Sequence, residues 1–303
     1  MSILNTIMRP LLTIIIPHKD TPTLLRRCIA SIPNRQDIHT IVVDDHSEDV
    51  KTVRDIQEMF PAVTFIYNDK QVGPGFSRNI GLEKAEGEWV IFADADDYFE
   101  DNFGVFLDSV ALDASTDIIY LKSRSIDLDT GKESNRADYY NGLVDRFLRH
   151  EWRSEERILL CYDVPWGKIM RNAVIQENAI RFPQMTVGED TVFSVTLATM
   201  VRHVKAYNQV MYVVTSHLGS LTTLDSQEMN RERFMSSLMV NKVWPSVFTD
   251  SFLDKLICIG KTNRKEFLWC LRMLVQYRVN PLSAIYRGIV YKWGMWRHPA
   301  KSC

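Results

Sequence analysis

The chain has no Cys-x-x-Cys pair among its 5 cysteines and no His-x-x-x-His spacing among its 7 histidines. Those absences exclude the simplest zinc sites and dithiol redox motifs. Cys28, Cys161, Cys258, Cys270 and Cys303 are odd in number and scattered, which fits reduced thiols in a cytosolic protein better than a disulfide framework. No apolar run approaches the ~18 residues of a membrane-spanning helix, so the expectation is a chain that is soluble or lies on a membrane without crossing it. No clean signal peptide is expected either: Leu11–Ile16 is short and runs into Pro17 and charge. Neither the phosphate loop ending in Gly-Lys-Ser/Thr nor a dinucleotide fingerprint after the first strand is present, and there is no internal repeat or low-complexity tract.

What remains is ordinary in bulk and uneven in distribution. The 303 residues are 46% hydrophobic and 24% charged, which argues against disorder, collagen and coiled coil and suits one large domain or two modest ones. The formal charge of -2 hides an asymmetry. Residues 1–254 hold 26 Lys+Arg against 37 Asp+Glu, a net of -11, whereas residues 255–303 hold 10 against the single acid Glu266, a net of +9. The tail is a different surface from the body.

The first third alternates short apolar runs with helical patterns. Leu11–Pro17, Thr40–Val43, Val63–Tyr67, Trp89–Ala93 and Asp117–Lys122 read as strands. Helices are expected from Thr21-Pro22, through Val53, Ile56 and Phe60, from Phe76 to Ala85, and from Asp190 to about Met200. This order predicts an α/β fold with a mainly parallel sheet and helices on both faces. Residues 124–160 are polar and read as a mobile connection with helical pieces; residues 164–224 are mixed, and the chain looks helical from about Asn230.

In an open parallel sheet, ligands bind beyond the carboxyl ends of the strands. Pro17-His18-Lys19-Asp20, Asp44-Asp45-His46-Ser47 and Asp94-Ala95-Asp96-Asp97 each follow a strand, so three strands deliver acids to one edge. Any one set is explained as well by helix capping or turn formation. Asp94-x-Asp96 at a strand end also suits a hard cation such as Mg²⁺, which takes oxygen ligands and shares them with a substrate diphosphate. Gly73-Pro74-Gly75-Phe76-Ser77-Arg78 permits close approach of backbone to a ligand and supplies an arginine that can grip phosphate, or is a turn with an exposed arginine.

Taken in order, Ile-Ile-Ile-Pro-His-Lys-Asp, Val-Val-Asp-Asp-His-Ser, Gly-Pro-Gly-Phe-Ser-Arg-Asn-Ile-Gly and Phe-Ala-Asp-Ala-Asp-Asp resemble the motifs of family 2 glycosyltransferases. Pro165-Trp166-Gly167-Lys168 and Val187-Gly188-Glu189-Asp190-Thr191 resemble that family's acceptor-side motifs, and the likeness covers roughly residues 10–225. The resemblance implies a GT-A fold, a nucleotide-sugar donor, Mn²⁺ or Mg²⁺, and inversion at the anomeric carbon. It implies a catalytic domain over 1–225, with a nucleotide-sugar part (10–123) and an acceptor part (160–225), followed by a helical basic extension (226–303). Pro17 and Asp20 would lie in the first donor loop, where His18-Lys19 departs from the family's more usual Tyr-Asn. Asp45 would read the base, usually uracil; Arg78 would lie near the donor's phosphates and Asp94 near ribose or a metal-bound water; Asp96 would bind the metal. Asp190 would be the catalytic base, with Glu189 as its rival; Trp166 would stack near the sugar; His217 is a looser match near the pyrophosphate. The role of Asp97 stays open. The resemblance further implies bacterial cell-surface glycan assembly on a glycan or lipid-linked acceptor at the cytoplasmic membrane face.

Two rivals remain at this point. Some metal-dependent phosphoryl-transfer enzymes place Asp-x-Asp after a strand, but the first strand; a non-catalytic nucleotide- or glycan-binding relative would keep the fold without turnover. In the tail, Leu282, Ile285, Tyr286, Ile289, Val290, Trp293 and Trp296 recur at helical spacing after Asn280-Pro281, with Arg287 and Lys292 at the stripe's edges. Such a helix can lie on an anionic membrane, or pack on the catalytic domain with its basic edge in water. No nucleic-acid-binding module is recognised.

Overall fold

A computed structural model describes residues 10–110, 112–113, 115–216, 226–244 and 263–279. The 8 strands form one sheet, in the order β3-β2-β1-β4-β7-β6-β8-β5. β1 (Leu12–His18) is a fully buried run in which Ile14, Ile15 and Ile16 follow one another without alternation. That pattern suits a central strand covered on both faces. It pairs in parallel with β2 (Ile38–Asp44) on one side and β4 (Trp89–Phe92) on the other, and β2 pairs in parallel with β3 (Thr64–Tyr67). The chain therefore leaves β1 for β2 and β3, then returns to β4 on the opposite side. This reversal opens a crevice beyond the carboxyl ends of β1 and β4.

The second half of the sheet is mixed. β7 (Lys168–Arg171) runs antiparallel to β4 and to β6 (Ile118–Asp127); β6 runs parallel to β8 (Val204–Ser216), and β5 (Tyr98–Phe99) closes the far edge antiparallel to β8. Reversal of β7 brings its leading residues, 163–167, to the edge where β4 delivers its trailing ones.

The helices are α1 (Pro22–Ala30), α2 (Val50–Met59), α3 (Pro74–Glu83), α4 (Phe103–Ser109), α5 (Asp138–Leu148), α6 (Ser154–Cys161), α7 (Asn172–Glu177), α8 (Glu189–Ala198), α9 (Gln227–Val243) and α10 (Arg264–Gln276). α1 begins as its sequence asks, with Thr21 before Pro22. α3 lies directly on β1: a Cβ on Gly81 would stand 2.4 Å from Ile15 Cγ2. α5 covers β6 and β8, and α9 packs on α8 and on α10. A small second core joins the last two through Phe234, Leu238, Cys270 and Leu274.

Three expectations are revised. His18 and Asp44 end strands rather than beginning loops. Residues 124–160 are no loose connection: they finish β6, turn back through an Ile126–Glu133 bridge, and form α5 and α6. The mixed region after residue 164 holds two strands, β7 and β8, that apolar periodicity did not reveal. Among the described residues no helix is long and apolar enough to cross a membrane. The proposed membrane helix from Asn280 onward lies outside the described residues.

Candidate active site

A cleft of about 540 Å³ opens at the crevice between β1 and β4, within the range of small-ligand sites. Pro17, Lys19 and Thr21 come from the end of β1, Pro74 and Arg78 from α3, and Asp94 to Asp97 from the end of β4. Val164 to Trp166 precede β7, Thr186 to Thr191 lead into α8, and Arg136, Thr215 and Arg233 complete the lining.

Arg78 is the hub of the floor. It is 5% exposed, donates from Nη2 to Asp94 Oδ1 at 2.6 Å, and places Nη1 3.5 Å from Glu189 Oε1. Its guanidinium also lies 5.3 Å over the Phe182 ring. The exposed arginine considered for this loop is thus a buried one that ties α3 to the end of β4 and the start of α8. Gly75 makes the same junction possible: a Cβ there would stand 2.6 Å from Glu189 Cγ. The close approach is to α8 itself.

Glu189 and Asp190 occupy the first turn of α8, where the helix dipole favours acids. Burial pushes both carboxyls above the usual range, helped at Asp190 by the charge of Asp163 and at Glu189 by that of Asp190. Their engagements differ. Both line the cleft, but Glu189 packs on Gly75 and faces Arg78, whereas Asp190 Oδ1 accepts the N–H of its neighbour Thr191 at 2.8 Å. A carboxylate of raised basicity facing a cleft is suited to take a proton.

Asp96 lines the cleft one residue beyond buried Ala95. Its carbonyl is fixed by the Arg27 guanidinium and by Thr215 Oγ1, the latter at 2.6 Å. Asp97 points inward: it is buried, accepts the Thr215 N–H at 2.6 Å, and its carboxyl is pushed well up by burial and by the charges of Asp96 and Asp94. No cluster of three or more His, Cys, Asp or Glu forms a metal cage among the described residues. A hard cation held by one or two carboxylates plus substrate phosphates requires none, and Asp96 beside Asp94 fits that mode.

The structure brings Pro17, Arg78, Asp94, Asp96, Trp166 and Asp190 to one cleft. Trp166 is only 1% exposed, stacked on Tyr212 and edge-to-face with Tyr140. It is a rigid wall more than an open stacking face. Asp20 and Asp45 stand outside the lining. Asp20 Oδ1 accepts the Glu48 N–H at 2.8 Å, and its side chain pairs with Lys19. Asp45 accepts Val72 N–H and Gly73 N–H, both at 2.8 Å, and Asn68 Nδ2 at 3.0 Å, so it shapes the turn into α3. His217 lies outside the described residues. Lys19, Arg136 and Arg233 are cleft cations given no role from sequence: Lys19 sits in a quoted motif, whereas no motif marks Arg136 or Arg233 and only the fold brings them in.

His18 explains how the departure from Tyr-Asn is accommodated. The Thr21 N–H donates to its Nε2 at 3.2 Å, so Nδ1 carries the proton, which it donates to Asp44 Oδ1 at 2.8 Å. Ser47 donates to the same carboxylate from Oγ at 2.6 Å and from N at 3.0 Å. The ends of β1 and β2 are thereby joined by buried polar contacts beneath the cleft.

The glycosyl transferase family 2 profile matches residues 13–174, just over half of the chain. The chain belongs to this family. It is 27% identical over 241 residues to the putative glycosyltransferase EpsH of Bacillus subtilis, covering 76% of this chain and 66% of that one. It spans between 31% and 37% of the length of three further curated relatives. Among solved structures, TarS 1-349 of Staphylococcus aureus in complex with UDP-GlcNAc superposes with a TM-score of 0.62 at 17% identity, covering 92% of this chain and 88% of that one. Mannosyltransferase PcManGT of Pyrobaculum calidifontis, in complex with GDP-Man and Mn2+, gives 0.53 at 15% identity, covering 92% and 85%. These likenesses establish the GT-A fold.

Proposed function

We propose that the protein is an inverting glycosyltransferase that moves a sugar from a nucleotide-sugar donor, a UDP-sugar, to a hydroxyl of a glycan or lipid-linked acceptor in cell-surface polysaccharide assembly. The observation that carries this reading is the convergence of Asp94 and Asp96 with Asp190 on one cleft at the switch point of the sheet. UDP-GlcNAc in the TarS complex and polysaccharide-related names among the relatives support it.

The acceptor oxygen attacks the anomeric carbon from the face opposite the nucleotide. A carbon–oxygen bond forms as the bond to the donor's diphosphate breaks, and the hydroxyl proton passes to Asp190. Asp190 is placed for this by α8, and its raised basicity improves on that of an ordinary aspartate. Asp96, with Asp94 beside it, would hold Mn²⁺ or Mg²⁺, which as a Lewis acid supplies charge stabilisation to the leaving diphosphate. Arg136 donates to the Thr215 carbonyl at 3.2 Å, beside the backbone of Asp96, and supplies positive charge at the same end of the cleft. Pro17 and Trp166 are rigid walls, Arg78 keeps Asp94 and Glu189 in place, and Asp20 and Asp45 shape the donor loops. The protein works at the cytoplasmic face of the membrane, with its tail on anionic lipid.

The test is hydrolysis and transfer across a panel of UDP-sugars with Mn²⁺, Mg²⁺ or excess chelator. Turnover of one donor should require metal, and Asp96→Ala should abolish metal-dependent donor binding while the circular dichroism spectrum is unchanged. Full turnover in chelator would refute the metal role, and phosphate release without sugar transfer would point to phosphoryl transfer.

A further inference from the structure

Asp163 precedes the Pro165-Trp166-Gly167-Lys168 motif and Lys168 ends it at the start of β7, yet neither lines the cleft. Lys168 is 2% exposed and donates from Nζ to Ser194 Oγ, on α8, at 2.8 Å. Its ammonium sits over the rings of Tyr162 and Tyr120, at 5.4 and 6.0 Å. Ser194 Oγ donates in turn to the Asp163 carbonyl at 3.2 Å. The Asp163 carboxylate accepts Thr191 Oγ1 at 3.0 Å and Tyr140 Oη at 3.2 Å. Thr191 also donates its N–H to Asp190. One chain of hydrogen bonds thus runs from a buried lysine, through α8 and Asp163, to the residue beside the base.

A lysine in such surroundings is an expensive choice where methionine would pack. Burial pulls its pKa down to about 7, and the nearby carboxylates of Asp163 and Asp190 oppose that fall. The acids thus favour the charged lysine, and the influence is mutual.

We propose that Lys168 and Asp163 are positioning residues for Asp190, holding the first turn of α8 and setting the ionisation of its carboxylate with opposite signs. The positive neighbour favours the carboxylate, and the negative one opposes it. The other groups facing Asp190 are Arg78 from α3, Asp94 from the end of β4, Tyr140 from α5 and Glu189 on the same turn. Neither variant substitutes any of them. The functional meaning rests on Asp190 being the base; the ionisation itself does not.

The experiment is a carboxyl-carbon NMR titration of the full chain labelled with ¹³C-aspartate, the Asp190 signal being assigned by its loss in Asp190→Asn. The wild-type midpoint should lie well above ~3.9, the ordinary aspartate value. Lys168→Met should raise it and Asp163→Asn should lower it, each by about one pH unit. If UDP-GlcNAc or another panel donor is turned over, the acid limb of kcat should move with the midpoint. Midpoints that stay put, or move in the same direction in both variants, overturn the proposal. Should the titration move while Asp190→Asn keeps full transfer, the base assignment fails and this coupling stands.

Discussion

At the scale of the residue, Glu189 and Asp190 are two neighbouring acids in different surroundings. Asp190→Asn keeps the shape of the side chain and should still bind donor, while transfer falls by ~10²–10⁴-fold. Glu189→Gln should weaken activity less, because it loosens the Arg78 contact and leaves Asp190 in place; steady-state transfer assays on both variants decide it, and the reverse ranking would reassign the base. The pH dependence follows from the raised carboxyl of Asp190. Activity needs the ionised form, so kcat should rise through a limb above the usual aspartate range. Stability runs the other way. The contribution of a raised carboxyl is fully present below its unfolded pKa and is lost as pH climbs through the folded one. Asp190→Asn should therefore be more stable than wild type at neutral pH, on the order of 1–3 kcal/mol, and lose that advantage in acid; urea midpoints at the two pH values measure it. The motif acids were legible in the sequence because strand ends and ordered spacing mark them. The inward turn of Asp97 and the covering of Trp166 were not, since both depend on partners, Thr215 and Tyr212, more than 40 residues away.

At the scale of the element, the site is a junction of α3, β4, β7 and α8, and the junction is tight. Gly75→Ala would place a methyl 2.6 Å from Glu189 Cγ and 3.2 Å from Phe182 Cβ. Such overpacking costs about 1–3 kcal/mol. Because it bears on the first turn of α8, catalysis should suffer beyond what stability explains, by ~10-fold or more. Gly142→Ala, on α5 with nothing within 4 Å of the new methyl, is the control and should leave both unchanged or raise stability slightly. Equal behaviour of the two variants in thermal melts and donor turnover would remove the junction from the account. The parallel strands were readable because apolar runs in a central sheet are continuous. The segment 124–160 misled because part of its order is polar: Ser125 donates to the Ser134 carbonyl, and Asn141 bonds both the N–H and the C=O of Ser123. These contacts extend β6 and help dock α5, whose Leu143 and Val144 join the apolar core, and they bring Arg136 to the cleft.

At the scale of the whole molecule, the described helices of the extension support the site. α9 buttresses the loop leading to Asp190: Glu232 Oε2 accepts the N–H groups of Thr186 and Val187 at 2.8 and 3.0 Å, and Ser236 Oγ donates to the Gly188 carbonyl at 3.0 Å. α10 holds α9 through the small shared core and through Arg231, which makes two 2.8 Å bonds to Glu266. Val279 still packs on that core. Truncation after Val279 therefore leaves every one of these contacts and removes the tryptophan-bearing stripe with its Arg287 and Lys292 edges. Apolar burial would keep such a helix on lipid once the tail's positive charge had drawn it there, and added salt would weaken the attraction. The truncated protein should lose sedimentation with anionic vesicles while retaining metal-dependent donor hydrolysis. Truncation after Asp225 should instead lose hydrolysis, since the loop before α8 would have no support. Equal vesicle binding by full-length and Val279-truncated protein, or none by either, would make the tail a packing helix; full activity after the longer deletion would detach α9 from the site.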